Sequence, residues 1–241
     1  LVKMAQPSSP KTERIWLLAH FRLAVCFGKL KRWWDSTGIF DYLLELEELS
    51  QWNRFEALTG RGISIHEADD PEGAEIALST ALRFFRKLSR NRQIAGMELV
   101  SEAAFRMGEI ARARFDKIVL SYPIEVMRER LEAKCGELLS AQGRYLRAMR
   151  YGDPRTVAAA GYQMGSLYEL LYDEIMELET PDDLTEDQAD VYWEEVGNKV
   201  SVLVRKAIRI YEKALLVGKK GEPGEWTSRL ERSLERLKTI Y

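Results

Sequence analysis

The residues with the widest chemical range in this sequence are two histidines, His20 and His66, and two cysteines, Cys26 and Cys135. A cysteine nucleophile needs an adjacent base. Cys26 lies six residues after His20, so on a helix the two side chains are not one turn apart and do not face each other. His66 has no obvious nucleophile partner. The cysteines lack CxxC or any other metal-ligand spacing, so neither a zinc site nor a disulfide scaffold is indicated. Groove or packing roles are favoured for both histidines.

Three short motifs resemble ligand sites but lack the required order. "GRGIS" at 60–64 has two glycines of a GxGxxG but lies inside a helical pattern and follows no strand. "GKKGEPG" at 218–224 is not a phosphate-binding loop, and "DDLTED" at 182–187 lacks the spacing and turn glycine of a calcium loop. No carboxylate pair stands out as acid and base. The sequence therefore predicts a protein that is not an enzyme and holds no cofactor or metal.

Charge and hydropathy exclude two further classes. A net charge of −2 and a pI near 5.9 argue against a nucleic-acid-binding protein, which would carry a basic footprint. No window approaches the roughly 18 apolar residues of a membrane span, so we expect no membrane insertion. The first residue is Leu1 rather than methionine, so membership of a larger protein and the compartment both stay open.

The elements that position these residues are predicted to be helices throughout. Ala74, Leu78, Ala81 and Phe85 recur at helical spacing, and Asp70 before Pro71 is a strong helix start. Thr185 and Gln188 form the pattern of a capping box. The run "KIVLSY" at 117–122 is interpreted as a helix end. The predicted pairs are 12–28 with 32–48, 52–68 with 71–88, 94–120 with 124–150, and 156–178 with 186–217, closed by 225–240.

A repeated pattern of small and large residues runs through these pairs. The first two copies are Leu23, Ala24, Phe27, Trp33, Ser36 and Phe40, then Leu58, Gly62, Ile65, Ala74, Leu78 and Ala81. The elongated later copies are Gly108 and Ala111 with Ala141, Tyr145 and Ala148, then Met164, Gly165 and Tyr168 with Ala207, Tyr211 and Ala214. This pattern resembles the tetratricopeptide-repeat (TPR) signature, in which small residues let two antiparallel helices touch. "LEAKC…LLSAQGRY" and "YQMGSLYE" give the later half a similarity to TPR proteins of gliding bacteria.

This resemblance implies an all-α, TPR-like right-handed α-solenoid of antiparallel helix pairs with a C-terminal capping helix. Residues 1–10 are expected to be a loose lead-in and 11–241 a single domain, with standard pairs over 12–88, elongated pairs over 94–217 and the capping helix at 225–240. Its concave face would bind a protein or peptide, unless the long later helices fill the groove. The groove residues implied are Phe21, Val25, Lys29, Thr59, Ile63, His66, Glu67, Tyr162, Ser166 and Glu169.

The charge pattern adds a second indication of a partner. From Thr156 to Asn198 there is no Lys or Arg but an acidic block from Glu169 to Glu195, which is either a solvated face or a docking patch for a basic segment. Basic residues cluster in 83–92 and on the last helix. The leading hypothesis is a scaffold or adaptor that binds protein partners. The alternatives are a self-assembling or cell-envelope (motility-type) subunit, with self-association through complementary ends, and a sensory domain of a larger regulator.

Overall fold

The computed structural model describes residues 10–89, 97–181, 184–222 and 224–240. Every regular element in these ranges is a helix, so the predicted all-α class is confirmed for them. The lead-in predicted for 1–10 and the helix start predicted at 94 lie outside the described residues, except for Pro10, which opens the first helix. The helices are α1 (Pro10–Lys29), α2 (Trp33–Leu44), α3 (Gln51–Glu67), α4 (Pro71–Leu88), α5 (Met97–Asp116), α6 (Ile124–Met149), α7 (Pro154–Met176), α8 (Glu186–Gly218) and α9 (Glu225–Ile240).

Local sequence signals account for several of the helix starts. Asp70 and Asp153 each accept a hydrogen bond from the backbone N–H three residues later, at 2.9 and 2.8 Å, as N-cap residues do. Thr185 and Gln188 form both bonds of the predicted capping box, at 2.9 and 3.4 Å. These caps satisfy backbone N–H groups that have no partner within the helix.

The segment 117–122, which the sequence analysis assigned to the end of a helix, is irregular instead. Its backbone groups find partners in other elements. The Leu120 N–H donates to the Glu174 carboxylate on α7 at 2.7 Å, and the Ile118 carbonyl accepts from the ammonium of Lys134 on α6 at 2.5 Å. Because these tertiary bonds replace helical ones, α5 stops before this segment.

The chain divides into two compact units, Leu1–Arg106 and Met107–Tyr241. The first holds α1 to α4 and the first half of α5, and the second holds the rest. In the first unit, one core cluster joins α1, α2 and α3 through residues that include Phe21, Phe40 and Ala57. The single domain expected for 11–241 stays a prediction.

Each helix packs against the next one from α1 to α4 and from α6 to α9, and in three antiparallel pairs a glycine of the first helix lies against a large residue of the second. A Cβ atom at any of these glycines would overlap the opposing side chain. The contacts are Gly62 with Leu78, Gly108 with Tyr145, and Gly165 with Tyr211. The pairing of small and large residues that the sequence analysis read from the TPR resemblance is therefore present, and the fold is TPR-like in this respect.

In the second unit, α7 has neighbours on several sides. It packs against α6, α8 and α9, and twelve of its residues are buried. The last helix, α9, places Leu230 and Leu237 in this core and leaves its charged face exposed, as expected of a capping helix. Within the described ranges, no helix is long and apolar enough to cross a membrane.

Candidate partner-binding surface

In the first helix of each pair (α1, α3, α5 and α7), we take the buried small residue of the repeat pattern as the reference position of that helix. These reference residues are Ala24, Gly62, Gly108 and Gly165. Because a helix turns about 100° per residue, positions −3 and +4 lie about 60° and 40° from the reference, whereas +1 and +5 lie about 100° and 140° from it. Positions +1 and +5 should therefore be more exposed.

Burial follows this angular order at positions −3, +1 and +5, whereas position +4 is buried only in α7 and is half-buried at Gly28, His66 and Arg112. Position −3 is buried in three helices and half-buried in the fourth: Phe21, Thr59, Phe105 and Tyr162. Position +1 is exposed or half-buried: Val25, Ile63, Glu109 and Ser166. Position +5 is exposed in three helices and half-buried in α3: Lys29, Glu67, Ala113 and Leu170. Positions +1 and +5 are thus less buried than position −3 in α1, α3 and α5, and in α7 this holds for position +5.

The ten residues that the sequence analysis assigned to the groove divide accordingly. Val25 and Lys29 are exposed, and five others are half-buried: Ile63, His66, Glu67, Tyr162 and Ser166. Phe21, Thr59 and Glu169 are buried. These three offer no surface to a partner, because their positions face neighbouring helices rather than solvent.

On α7, the partly uncovered residues form a stripe along one face. We define the α7 stripe as Gln163, Ser166, Leu170 and Asp173, whose spacing of three, four and three keeps them within one side of the helix. Leu170 is 41% exposed, so an apolar contact point lies among polar groups. The stripe combines Ser166, predicted as a groove residue, and Asp173, which belongs to the acidic block, with Gln163 and Leu170, which were not predicted.

A polar network holds the first half of this stripe against α5. Arg112 Nη1 lies 2.9 Å from Gln163 Oε1 and 2.6 Å from Ser166 Oγ. The two oxygens of Glu109 accept from Gln163 Nε2 at 3.1 Å and from the Tyr145 hydroxyl at 2.5 Å. Burial raises the pKa of Tyr145 far above its ordinary range, with the Glu109 charge adding to the effect, so this tyrosine stays a neutral donor. The network fixes the arginine and the stripe relative to each other.

On its other side, α7 meets α9. The Arg236 guanidinium donates to the buried carboxylate of Glu169. Tyr162 lies between two aromatic rings, with centroids 6.1 Å from Tyr211 and 5.8 Å from Trp226. Arg229 lies 4.9 Å from the Trp226 ring centroid, a cation–π distance. Tyr162 and Glu169 therefore hold α9 in place.

Burial shapes the electrostatics of the two carboxylates beside α9. It raises the pKa of Glu169 above its ordinary value, and the positive charge of Arg236 opposes that shift. The pKa of Asp173 is raised for the same reason, again opposed by Arg236 and reinforced by the negative charge of Glu177. Arg236 thus stabilises negative charge on both carboxylates.

In the first unit, two of the predicted residues belong to a charged cluster between α3 and α5. Arg106 Nη1 lies 2.7 Å from Glu67 Oε1, and Arg106 Nε lies 2.8 Å from Glu102 Oε1. His66 is close enough for these charges to shift its pKa. Burial lowers its pKa first, and the positive charge of Arg106 lowers it further. His66 and Glu67 are therefore brought together with residues that the sequence analysis did not select.

The acidic block is partly neutralised within the chain. Glu169 pairs with Arg236, and Glu174 pairs with Lys134. The rest of the described block lies mainly on the first turns of α8, where most side chains are exposed. Asp182 and Asp183 of this block, and Arg90 and Arg92 of the basic cluster, lie outside the described residues.

Arg112, Glu109 and Leu170 were missed, yet a signal for each is present in the sequence. Glu109 and Arg112 occupy positions +1 and +4 from Gly108, and Leu170 is at +5 from Gly165. Applying to α5 and α7 the offsets that selected Ile63, His66 and Glu67 would have found all three. Arg236 carried no such signal, because its partner is 67 residues away.

Comparison with known proteins gives a distant similarity to solved structures. No protein-family model matches the chain, and no curated protein does. Among solved structures, the chain is similar to a TPR repeats protein from Bacteroides fragilis NCTC 9343, with 12% sequence identity and a TM-score of 0.46. That similarity covers 93% of this chain and 83% of the other.

Proposed function

We propose that this chain is a non-catalytic scaffold that binds a segment of a protein partner on the exposed side of its first helices. The observation that carries the proposal is the α7 stripe, where exposed Leu170 lies on the same helix face as Ser166 and Gln163, both bonded to Arg112. An apolar anchor beside fixed polar groups is the arrangement by which protein surfaces gain affinity and orientation together.

The stripe is suited to binding because its polar groups are already ordered. The Arg112 side chain is 18% exposed and held at its tip by α7, so little side-chain entropy is lost when a partner docks. Leu170 would pack against an apolar side chain of the partner. Gln163, Ser166 and Asp173 would bond to its polar groups.

The contacts of each residue indicate which positions on this surface are suitable for substitution. Tyr162 and Glu169 are poor positions for substitution because they hold α9, so their loss would change packing as well as binding. Leu170→Glu instead adds a charge at an exposed helix position. Leu216→Glu is the matched control, since Leu216 is 71% exposed on α8, a second helix.

The experiment is affinity capture with the native chain, Leu170→Glu and Leu216→Glu as baits, read by quantitative mass spectrometry. Circular dichroism must first show that all three are equally folded. The proposal expects a partner retained by the native chain and by Leu216→Glu but depleted at least tenfold with Leu170→Glu, and its affinity is then measured with purified proteins. Equal recovery with all three baits, or recovery of the bait alone, would reject the stripe as the binding surface.

The self-assembly alternative depended on complementary acidic and basic ends. Arg229, Arg236 and Lys238 of α9 pair within the same chain, with Glu225, Glu169 and Glu212. These internal pairs reduce the charge that α9 would offer to another copy.

A further inference from the structure

A cavity of about 440 Å³ opens in the first unit, between the start of α1 and the connection from α2 to α3. Its lining residues are Glu13, Trp16, Leu17, Leu46, Glu47, Glu48 and Leu49. The lining therefore combines an indole and three leucines with three carboxylates. None of these residues belongs to the α7 stripe.

The α1 wall of the cavity is held by an aromatic cluster. The Trp16 ring centroid lies 4.0 Å from that of His20 and 6.0 Å from that of Tyr42. His20 Nδ1 also lies 2.9 Å from the Trp16 carbonyl oxygen, to which it donates. These contacts fix the indole, so the cavity does not depend on a freely rotating side chain.

The opposite wall is held by Arg54 of α3. Its guanidinium donates to the carbonyl oxygens of Leu44 at 3.0 Å and Leu46 at 2.8 Å. These bonds tie down the loop that carries Glu47 and Glu48. Both walls are thus ordered before any ligand arrives, which lowers the entropic cost of binding.

The chemistry of the lining favours a ligand that carries a positive charge at the end of an aliphatic chain. Glu13, Glu47 and Glu48 are exposed and have no ion-pair partner within the described part of the chain. A metal ion does not fit, since the described residues include no group of three or more His, Cys, Asp or Glu side chains placed to hold one. An indole face attracts organic cations, and leucines pack against methylene groups.

We propose that this cavity binds a lysine side chain of a protein partner. The four methylenes of lysine would lie on Leu17, Leu46 and Leu49, and its compact ammonium would pair with one or two of the lining carboxylates. Arginine, whose planar fork needs a carboxylate held in bidentate geometry, suits these exposed glutamates less well. The cavity exceeds one side chain in volume, which leaves room for apolar residues next to the lysine. The inference rests on the proposed function in one respect, that the ligand is part of a protein.

The test uses a defined probe, the blocked pentapeptide acetyl-Ala-Leu-Lys-Leu-Ala-amide, with a second peptide that carries norleucine in place of lysine. Norleucine keeps the aliphatic stem and removes the charge. Binding to the full chain is followed by NMR at the indole N–H of Trp16, assigned with Trp16→Phe. That N–H is buried without a hydrogen-bond partner among the described residues, so it should report changes in the cavity.

Glu47→Gln/Glu48→Gln removes two lining carboxylates. Glu45→Gln/Glu72→Gln removes two exposed carboxylates of the same unit that do not line the cavity, and is the matched control. We expect saturable binding of the lysine peptide at Trp16. Affinity should fall about fivefold or more for the norleucine peptide and for Glu47→Gln/Glu48→Gln, as loss of a cation–π contact and exposed ion pairs implies, and stay unchanged in the control.

Several outcomes would overturn the inference. They are no shift at Trp16, equal affinity for the norleucine peptide, an equal loss in the Glu45→Gln/Glu72→Gln control, or tighter binding of free spermidine than of the lysine peptide at this indole. Leu170→Glu should leave peptide binding unchanged. The two proposals therefore fail separately: equal capture by the native chain and by Leu170→Glu rejects the stripe, and the peptide results decide the cavity.

Discussion

Lys134 of α6 and Glu174 of α7 form an ion pair in which the lysine side chain is only 4% exposed and the glutamate is 25% exposed. The ammonium also donates to the Ile118 carbonyl at 2.5 Å and lies 4.4 Å from the Phe115 ring centroid. The glutamate in turn accepts from the Leu120 N–H. One buried charge pair therefore connects α6, α7 and the irregular segment after α5.

Removing this lysine should destabilise the second unit strongly. Lys134→Ala leaves Glu174 and the Ile118 carbonyl without their partner and opens space beside Phe115, at a cost of about 3 kcal/mol in the free energy of unfolding. Lys134→Met should cost less because it keeps the aliphatic volume. Urea unfolding measures both, with exposed Lys117→Ala as the control. Equal stability of Lys134→Ala and the control would show that the pair contributes nothing.

The glycine contacts predict opposite effects for two similar substitutions. Gly165→Ala forces a methyl group into the Tyr211 ring, and overpacking of this kind costs about 1–3 kcal/mol. Gly143→Ala, at an exposed site in α6 with open space around it, should stabilise by up to about 1 kcal/mol through helix propensity. Thermal and urea unfolding of both variants test the pattern. Stabilisation by Gly165→Ala would contradict the close contact of α7 with α8.

The sequence predicted the helices well because their signals are local. The N-caps at Asp70 and Asp153 and the capping box at Thr185 depend on residues three positions apart, and each is present in the structure. The prediction of a helix end at 117–122 was wrong because the side chains that bond to its backbone, Lys134 and Glu174, are distant in the chain. A local sequence pattern does not show that distant side chains will compete with the helix for backbone hydrogen bonds.

The candidate surface was predicted less well, for a geometric reason. The repeat pattern identified the reference residues correctly, but the groove assignment included Phe21, at position −3, and Glu169, at position +4, which are buried against neighbouring helices. Angular distance from the reference separates these from Val25 and Leu170. The pairing of Glu169 with Arg236 could not be read from spacing, since it requires α9 to lie along α7.

The charged cluster of the first unit predicts a change in the titration of His66. Arg106 lowers the pKa of His66 in addition to burial, so Arg106→Gln should raise that pKa toward its ordinary value of 6.5. Loss of the cation also leaves Glu67 and Glu102 free to favour the imidazolium. NMR titration of the imidazole Hε1 signal measures the effect, with Arg32→Gln as a control at a separate exposed ion pair. An unchanged or lower pKa in Arg106→Gln would mean that burial alone sets the value.

The Glu169–Arg236 pair predicts how the stability of the second unit depends on pH. Burial raises the pKa of Glu169 above its ordinary value of 4.5, so the folded state binds a proton more tightly than the unfolded state. Stability from this group is then fully present below pH 4.5 and is lost as the pH rises through the folded pKa. Native protein should therefore lose stability relative to Glu169→Gln over that window.

Arg236→Gln provides the second arm of this test. Because Arg236 opposes the raised pKa of Glu169, its removal should raise that pKa further and extend the loss of stability to higher pH. Urea unfolding at intervals from pH 4 to pH 8 compares the native chain, Glu169→Gln and Arg236→Gln. If the difference between native protein and Glu169→Gln is constant across this range, or grows in favour of native protein as pH rises, burial does not control the charge of Glu169. In that case Arg236 holds the carboxylate ionised throughout, and α9 is fixed to α7 by a permanent ion pair.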